Sequence, residues 1–167
     1  MRAFQIILIC VFLIMLFSCN RKQEKQEAVS IKKEPNELES LFPKGKVGAS
    51  ELFTGKAWNT GLVDPDSLYT TAVGNVYFEP GARCNWHKHP AGQILIITDG
   101  AGYHQIEGKP IQALKKGDVV KCPPNVRHWH GASHDIGMQQ LYIVPNTEKG
   151  IVEWMEPVSD EVYAMAK

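Results

Sequence analysis

Two short stretches hold side chains whose types and spacing suit metal chemistry. The first, Gly81 to Gly100, reads GARCNWHKHPAGQILIITDG and carries His87 and His89 two residues apart. In an extended strand, residues i and i+2 face the same side, so both imidazoles can reach one cation. Gln93 follows four residues after His89, beyond Pro90 and Gly92, where a turn can fold the chain back. The second stretch, Gly117 to Gly131, reads GDVVKCPPNVRHWHG and supplies His128 and, again two apart, His130. Imidazoles grouped in this way suit divalent first-row ions.

Positioning these side chains requires strands. From Leu52 onward the chain is written in short β runs broken by Gly and Pro. Strands are expected over 70–78, 93–98, 102–107, 118–122, 127–130, 138–144 and 152–154, with an edge strand near 52–58. Asp99-Gly100 reads as a hairpin turn closing the run 93–98, and Gly108-Lys109 and Lys116-Gly117 as further turns. Many short strands with regular turn signals imply an all-β sandwich or barrel. Near the end, Ser159 caps a short helix through Met165, with Asp160 and Glu161 in its first turn.

The same alternation sorts the neighbours of the histidines. If His128 faces the interior, so does His130, while Trp129, Trp86 and Lys88 face the other way. An inward histidine that binds no metal can titrate near neutral pH and act as general base, or sit as a hydrogen-bonded core residue; both readings stand for His130. Gln140, on the strand 138–144, is a candidate for facing the cavity and orienting substrate. His104 and His134 lack partners at ligand spacing and read as surface or loop residues. Tyr77, Phe78, Ile94, Ile96, Trp129, Tyr142 and Trp154 divide between core and pocket wall, a small apolar pocket favouring a small, partly aromatic or aliphatic ligand. Arg83 and Arg127 are rim candidates for an anion, or ion-paired surface residues.

These stretches carry a family resemblance. Gly81, His87, His89, Gln93 and Gly100 fit the first cupin motif, and Gly117, Pro123 and His128 resemble the second. Gln93 stands where most cupins have Glu, Asn125 replaces a Gly, and Ala132 replaces the usual Asn. FEPGA (Phe78–Ala82), WHKHPAGQ (Trp86–Gln93), RHWHGA (Arg127–Ala132) and VEWMEPVSDEVY (Val152–Tyr163) narrow the likeness. Together they resemble small bacterial cupins related to manganese-dependent hydroxynitrile lyases, over about residues 50 to 163. The resemblance implies a jelly-roll barrel, a double-stranded β-helix. It implies a metal on His87, His89, Gln93 and His128, with Gln93 as ligand or as a group that holds one. Manganese is expected first; iron, zinc, nickel or cobalt also suit three imidazoles and an amide oxygen. A neutral Gln in place of Glu leaves the ion more of its positive charge and makes it a stronger Lewis acid. The implied reaction is lyase chemistry on a small hydroxy or carbonyl compound, as in cyanohydrin cleavage, with His130 moving a proton. The same constellation also serves iron-dependent dioxygen chemistry, or a non-catalytic binding module of the cell envelope. Cupins often pair through edge strands, so a homo-oligomer, dimer or higher, is expected by analogy.

Composition bounds the rest. The 167 residues suffice for one domain and a leader. A formal charge of zero gives no argument for a nucleic-acid partner. Ile6 to Phe17 is an apolar run of 12 residues, short of the roughly 20 that a spanning helix needs. Leu16-Phe17-Ser18-Cys19 resembles a bacterial lipobox. Residues 1–18 therefore read as a lipoprotein signal peptide, with lipid on Cys19; an uncleaved anchor is the alternative. Either way the expected location is the cell envelope, membrane-tethered outside the cytoplasm. Residues 19–45 read as a charged tether: of the twenty residues 21–40, ten are charged, too polar to bury a core. The cupin domain is placed at 46–167. Cys84 and Cys122 remain, as a disulfide of an exported protein or as two buried thiols. Cysteine as a ligand is disfavoured, because strand alternation over three residues points Cys84 away from His87.

Overall fold

Twelve strands, one 3-10 turn (Thr147–Lys149) and one α-helix form along residues 40–166, the part of the chain that the computed structural model describes. The expected signal peptide, Cys19 and most of the tether lie outside the described residues. Among the described residues no helix is long and apolar enough to cross a membrane. The strands are β1 (Lys46–Val47), β2 (Phe53–Thr54), β3 (Ala57–Val63), β4 (Ala72–Phe78), β5 (Arg83–Cys84), β6 (His87–Lys88) and β7 (Gln93–Ile106). They continue as β8 (Gln112–Lys115), β9 (Val119–Cys122), β10 (His128–Ala132), β11 (Met138–Val144) and β12 (Glu153–Trp154), followed by helix α1 (Asp160–Ala164).

Every strand pairing is antiparallel. One sheet runs β1-β3-β4-β11-β7-β9. The other runs β8-β7-β10, after which β10 meets both β5-β2 and β6-β12. β7 belongs to both: its first half pairs with β9 and β11, its second with β8 and β10. One strand shared by two sheets curls them into a jelly-roll barrel, a double-stranded β-helix. Val76, Phe78, Leu95 and Ile97 alternate along β4 and β7 and are buried.

The shared strand corrects the sequence expectation of a hairpin at Asp99-Gly100. Both residues stay in β7, opposite Gln139 and Met138 of β11, where the register shifts by one residue. Gly100 takes φ +76°. A left-handed glycine serves a hairpin or a bulge equally well, and here it bends a continuous strand from one sheet into the next. The edge strand expected near 52–58 is two pieces, β2 and β3, paired in different sheets. β8 was not anticipated: Gln112–Lys115 has no β-branched residue and buries only Leu114. α1 forms as expected, with the Ser159 side chain accepting from Val162 N–H.

The outer face of β10 is covered from the C-terminal side. Trp129 is fully buried, edge-on to Trp86 and Tyr163, and its indole N–H donates to Gln105 Oε1 at 2.8 Å. Buried Arg83 donates to Val158 O at 3.1 Å, meets the Asp160 carboxylate and stacks on Tyr163. Tyr163 Oη donates to Ala132 O at 2.8 Å. The helix is thus pinned to the barrel by a cation inserted beneath it.

β10 also comes close to β5. A Cβ at Gly131 would lie 2.5 Å from Ala82 O and 2.6 Å from Arg83 Cα. Backbone cannot yield as a flexible side chain would, so Gly131→Ala is expected to destabilise the barrel by about 3 kcal/mol. Chemical denaturation checks this; an unchanged midpoint would show that β5 shifts at no cost.

Candidate metal centre

Directly opposed residues of an antiparallel pair share a face. β10 sets His128 against His87 of β6, and His130 against His104 of β7. Four imidazoles thereby enter the space between the sheets. His89 follows directly after β6, at a turn closed by Gly92 N–H donating to His89 O at 3.1 Å. Asn125 N–H donates to the same carbonyl at 2.9 Å. Asn125 sits at φ 58°, which explains how it can stand where the family pattern has Gly. Gln93 opens β7 opposite Cys122 and lines the same cavity as His87 and His89.

The ligand atoms of His87, His89 and His128 all lie within 4.8 Å of one another. A backbone carbonyl aims each ring. His87 Nδ1 donates to Asn85 O at 2.9 Å, His89 Nδ1 to Ile151 O at 2.6 Å, and His128 Nδ1 to Val126 O at 2.8 Å. Carbonyls only accept, so each neutral ring keeps its hydrogen on Nδ1 and a lone pair on Nε2. His89 Nε2 is buried without a partner. His128 Nε2 faces Gln93 Oε1 at 3.2 Å, two acceptors that repel unless a cation lies between them. This donor set fits a divalent ion: His87, His89 and His128 would hold it by Nε2, with the Gln93 amide oxygen beside them.

Burial keeps these rings neutral. It pushes His87 and His130 well below the ordinary histidine value, and neighbouring imidazoles push them further; burial also lowers His89. Burial brings His104 and His128 down from 6.5 to about 4. The sign follows from proton uptake. Between about 6.5 and about 4 the unfolded chain binds protons that the folded chain refuses, so stability present at neutral pH is lost as pH falls through that window. Each such histidine accounts for on the order of 3 kcal/mol. The midpoint of thermal unfolding of metal-stripped protein is therefore expected to drop between pH 6.5 and pH 4, and a bound ion to delay the drop. A midpoint constant over that range would contradict it.

His130 lies 5.2 Å from the His87 ring and meets Phe78 edge-on. The Gln140 side-chain amide donates to His130 Nδ1 at 2.9 Å, leaving Nε2 buried and unpartnered. Gln140 thus faces the cavity, as its strand position predicts. The cavity has a volume of about 760 Å³, and Phe53, Val76, Val144 and Trp154 form part of its apolar wall. Trp154 also packs on His87 at 4.9 Å.

Three placements differ from the sequence reading. His104 is buried, not on the surface: its ring lies 5.8 Å from His128, and Cys122 Sγ is 3.4 Å from its Nε2. Cross-strand pairing with His130 turns it inward, and ligand spacing along the chain carries no trace of that pairing. Cys84 does not point away from His87: its Sγ lies 3.7 Å from His87 Nδ1. β5 and β6 are separate strands, so alternation does not run through Asn85 and Trp86. Arg83 is buried rather than at the rim or surface, while Arg127 is ion-paired, one of the two readings given for it. Arg83 is spent on the helix, and Arg127 pairs with Glu107 and Glu156 and lies over Trp86. His134 is a loop residue against Tyr163, as expected. Cys84 and Cys122 are free thiols, raised by burial to about 12 and so protonated. The Ile151 carbonyl was missed altogether; a backbone group leaves no residue-type signal.

Comparison with known proteins agrees with this geometry. The Cupin domain family model matches residues 74–144. An (R)-mandelonitrile lyase from Granulicella tundricola is 42% identical over 125 residues, which span 71% of this chain and 95% of that protein. A cupin-like protein from Thermotoga maritima superposes with a TM-score of 0.75 at 47% identity, over 77% of this chain and 98% of the other. A DMSP lyase from Ruegeria pomeroyi shares the fold alone, with a TM-score of 0.54 at 20% identity over 75% of this chain and 64% of its own. The inward histidines, the strand common to two sheets and a relative matched over nearly its whole length lead to one assignment: the chain belongs to the cupin family.

Proposed function

We propose that this cupin is a metal-dependent lyase acting on a small hydroxy or carbonyl compound, with cyanohydrin cleavage as its reaction. One observation carries the reading: the unpartnered Nε2 of His130 stands beside three imidazoles grouped closely enough to hold an ion, at an apolar cavity. The 42% identical relative that is a mandelonitrile lyase supports the choice of reaction.

His87, His89 and His128 would hold the ion through Nε2, with Gln93 Oε1 as a fourth donor. When bound, a divalent ion supplies Lewis acidity toward a substrate oxygen. The proton belongs to His130 Nε2. It takes the hydroxyl hydrogen, the bond between the carbinol carbon and the nitrile carbon breaks with its electrons leaving on cyanide, and Nε2 returns the hydrogen to cyanide. Aldehyde and hydrogen cyanide balance the cyanohydrin consumed.

Gln140 governs that proton. With its NH₂ on His130 Nδ1, Nε2 carries hydrogen and gives it. Cleavage needs the other orientation of the amide, in which Nδ1–H donates to Oε1 and Nε2 is bare. Phe78 holds the ring edge-on, and Phe53 and Trp154 keep water from the aryl or alkyl part of the substrate.

The test loads purified protein with Mn(II) and follows benzaldehyde release from racemic mandelonitrile. Release is expected to cease on chelation and return with Mn(II). No release with the ion bound removes the lyase reading; release indifferent to chelation removes the ion from it.

A further inference from the structure

Cys84 takes no part in the reaction above, yet it lines the same cavity. One ligand atom from each of Cys84, His87 and His130 lies within 4.8 Å of the others, and all three side chains are buried. This is the second of two such groups found among the described residues. His130 brings an independent sign of a missing partner, a buried Nε2 with no hydrogen bond. Cys84 Sγ–H donates to His130 O at 3.1 Å, so the sulfur is already held against the strand that carries His130.

We propose that Cys84, His87 and His130 form a second cation position, selective for thiophilic divalent ions such as zinc, cadmium or cobalt. Thiolate with imidazole prefers softer ions, whereas three imidazoles with an amide oxygen accept harder ones such as manganese. Entry of the ion displaces the thiol proton to solvent as the sulfur–metal bond forms. His87 moves its hydrogen from Nδ1 to Nε2, and His130 moves its own from Nε2 to Nδ1 as the Gln140 amide turns over, so each ring offers a lone pair and no electron changes hands. His87 belongs to both groups. Its Nδ1–H bond to Asn85 O is what turns Nε2 toward the first position, and the sulfur lies on the Nδ1 side at 3.7 Å. An ion drawn to that side pulls the ring off its carbonyl, so the two positions compete. Thiophilic ions then act as antagonists of the manganese-type centre without any change of fold.

Cys122 provides an internal control. Its sulfur is also buried beside an imidazole, that of His104 at 3.4 Å, but it belongs to neither three-residue group.

The experiment titrates metal-stripped full-length protein with Co(II) and reads the near-ultraviolet thiolate-to-cobalt charge-transfer band. The band is expected in wild type and Cys122→Ser and absent from Cys84→Ser, whose hydroxyl can still donate to His130 O. Visible cobalt bands and far-ultraviolet circular dichroism report whether Cys84→Ser keeps the first position and the fold; Cys84→Ala repeats the test if serine is not tolerated. A band that survives both Cys84 variants, one lost in Cys122→Ser, or none in wild type overturns the proposal. The readout is absorption, not turnover, so it stands or falls separately from the lyase reading.

Discussion

Replacing His87 with alanine is expected to empty the metal centre and abolish turnover. Three imidazoles converge on one point, and His87 is the middle of the set, its ring 5.1 Å from His89 and 4.3 Å from His128. Loss of a group that merely orients a ligand costs about 10- to 100-fold in metal affinity, so loss of a ligand is expected to cost more than about 100-fold. Metal analysis after dialysis, with circular dichroism to confirm the fold, reads the result. His128→Ala is expected to behave alike. Full occupancy in both variants would sink the site, because neither His87 nor His128 would then be needed to hold the ion.

His130→Ala separates chemistry from metal binding. Turnover of mandelonitrile is expected to fall by about 10²- to 10⁴-fold, the usual contribution of a positioned acid–base group, with metal content unchanged. Gln140→Leu removes the partner of Nδ1 and leaves the ring in place. It is expected to lower kcat more than it raises KM, because the tautomer, not the pocket, is disturbed. Unchanged turnover in His130→Ala would reject the proton role.

Much of this site is legible in the chain because its candidate ligands are local. His87, His89 and Gln93 lie within seven residues, and alternation alone places His128 with His130. β11 is legible for the same reason: Met138–Val144 is a self-contained apolar run. What sequence reading missed depends on register between distant strands. His104 turns inward because β7 sets it opposite His130, and Cys84 joins the cavity because the strand breaks at Asn85 and Trp86. The Asp99-Gly100 turn signal was real in its φ requirement, but the curl of the barrel used it as a bend. Local preference fixes which conformations a dipeptide tolerates; tertiary pairing chooses among them.

The Ile151 carbonyl that aims His89 sits 62 residues beyond the ring it serves, next to a strand that pairs with β6 only after every other strand has been made. The earlier strands can therefore pair while His89 still swings about its own bonds. An ion bound at that stage would find two aimed imidazoles and one loose one. Aiming the third waits on residues 151–163 and their docking around Arg83. A chain truncated before Ile151 is therefore expected to fold most of its sheets yet release an ion readily to a chelator.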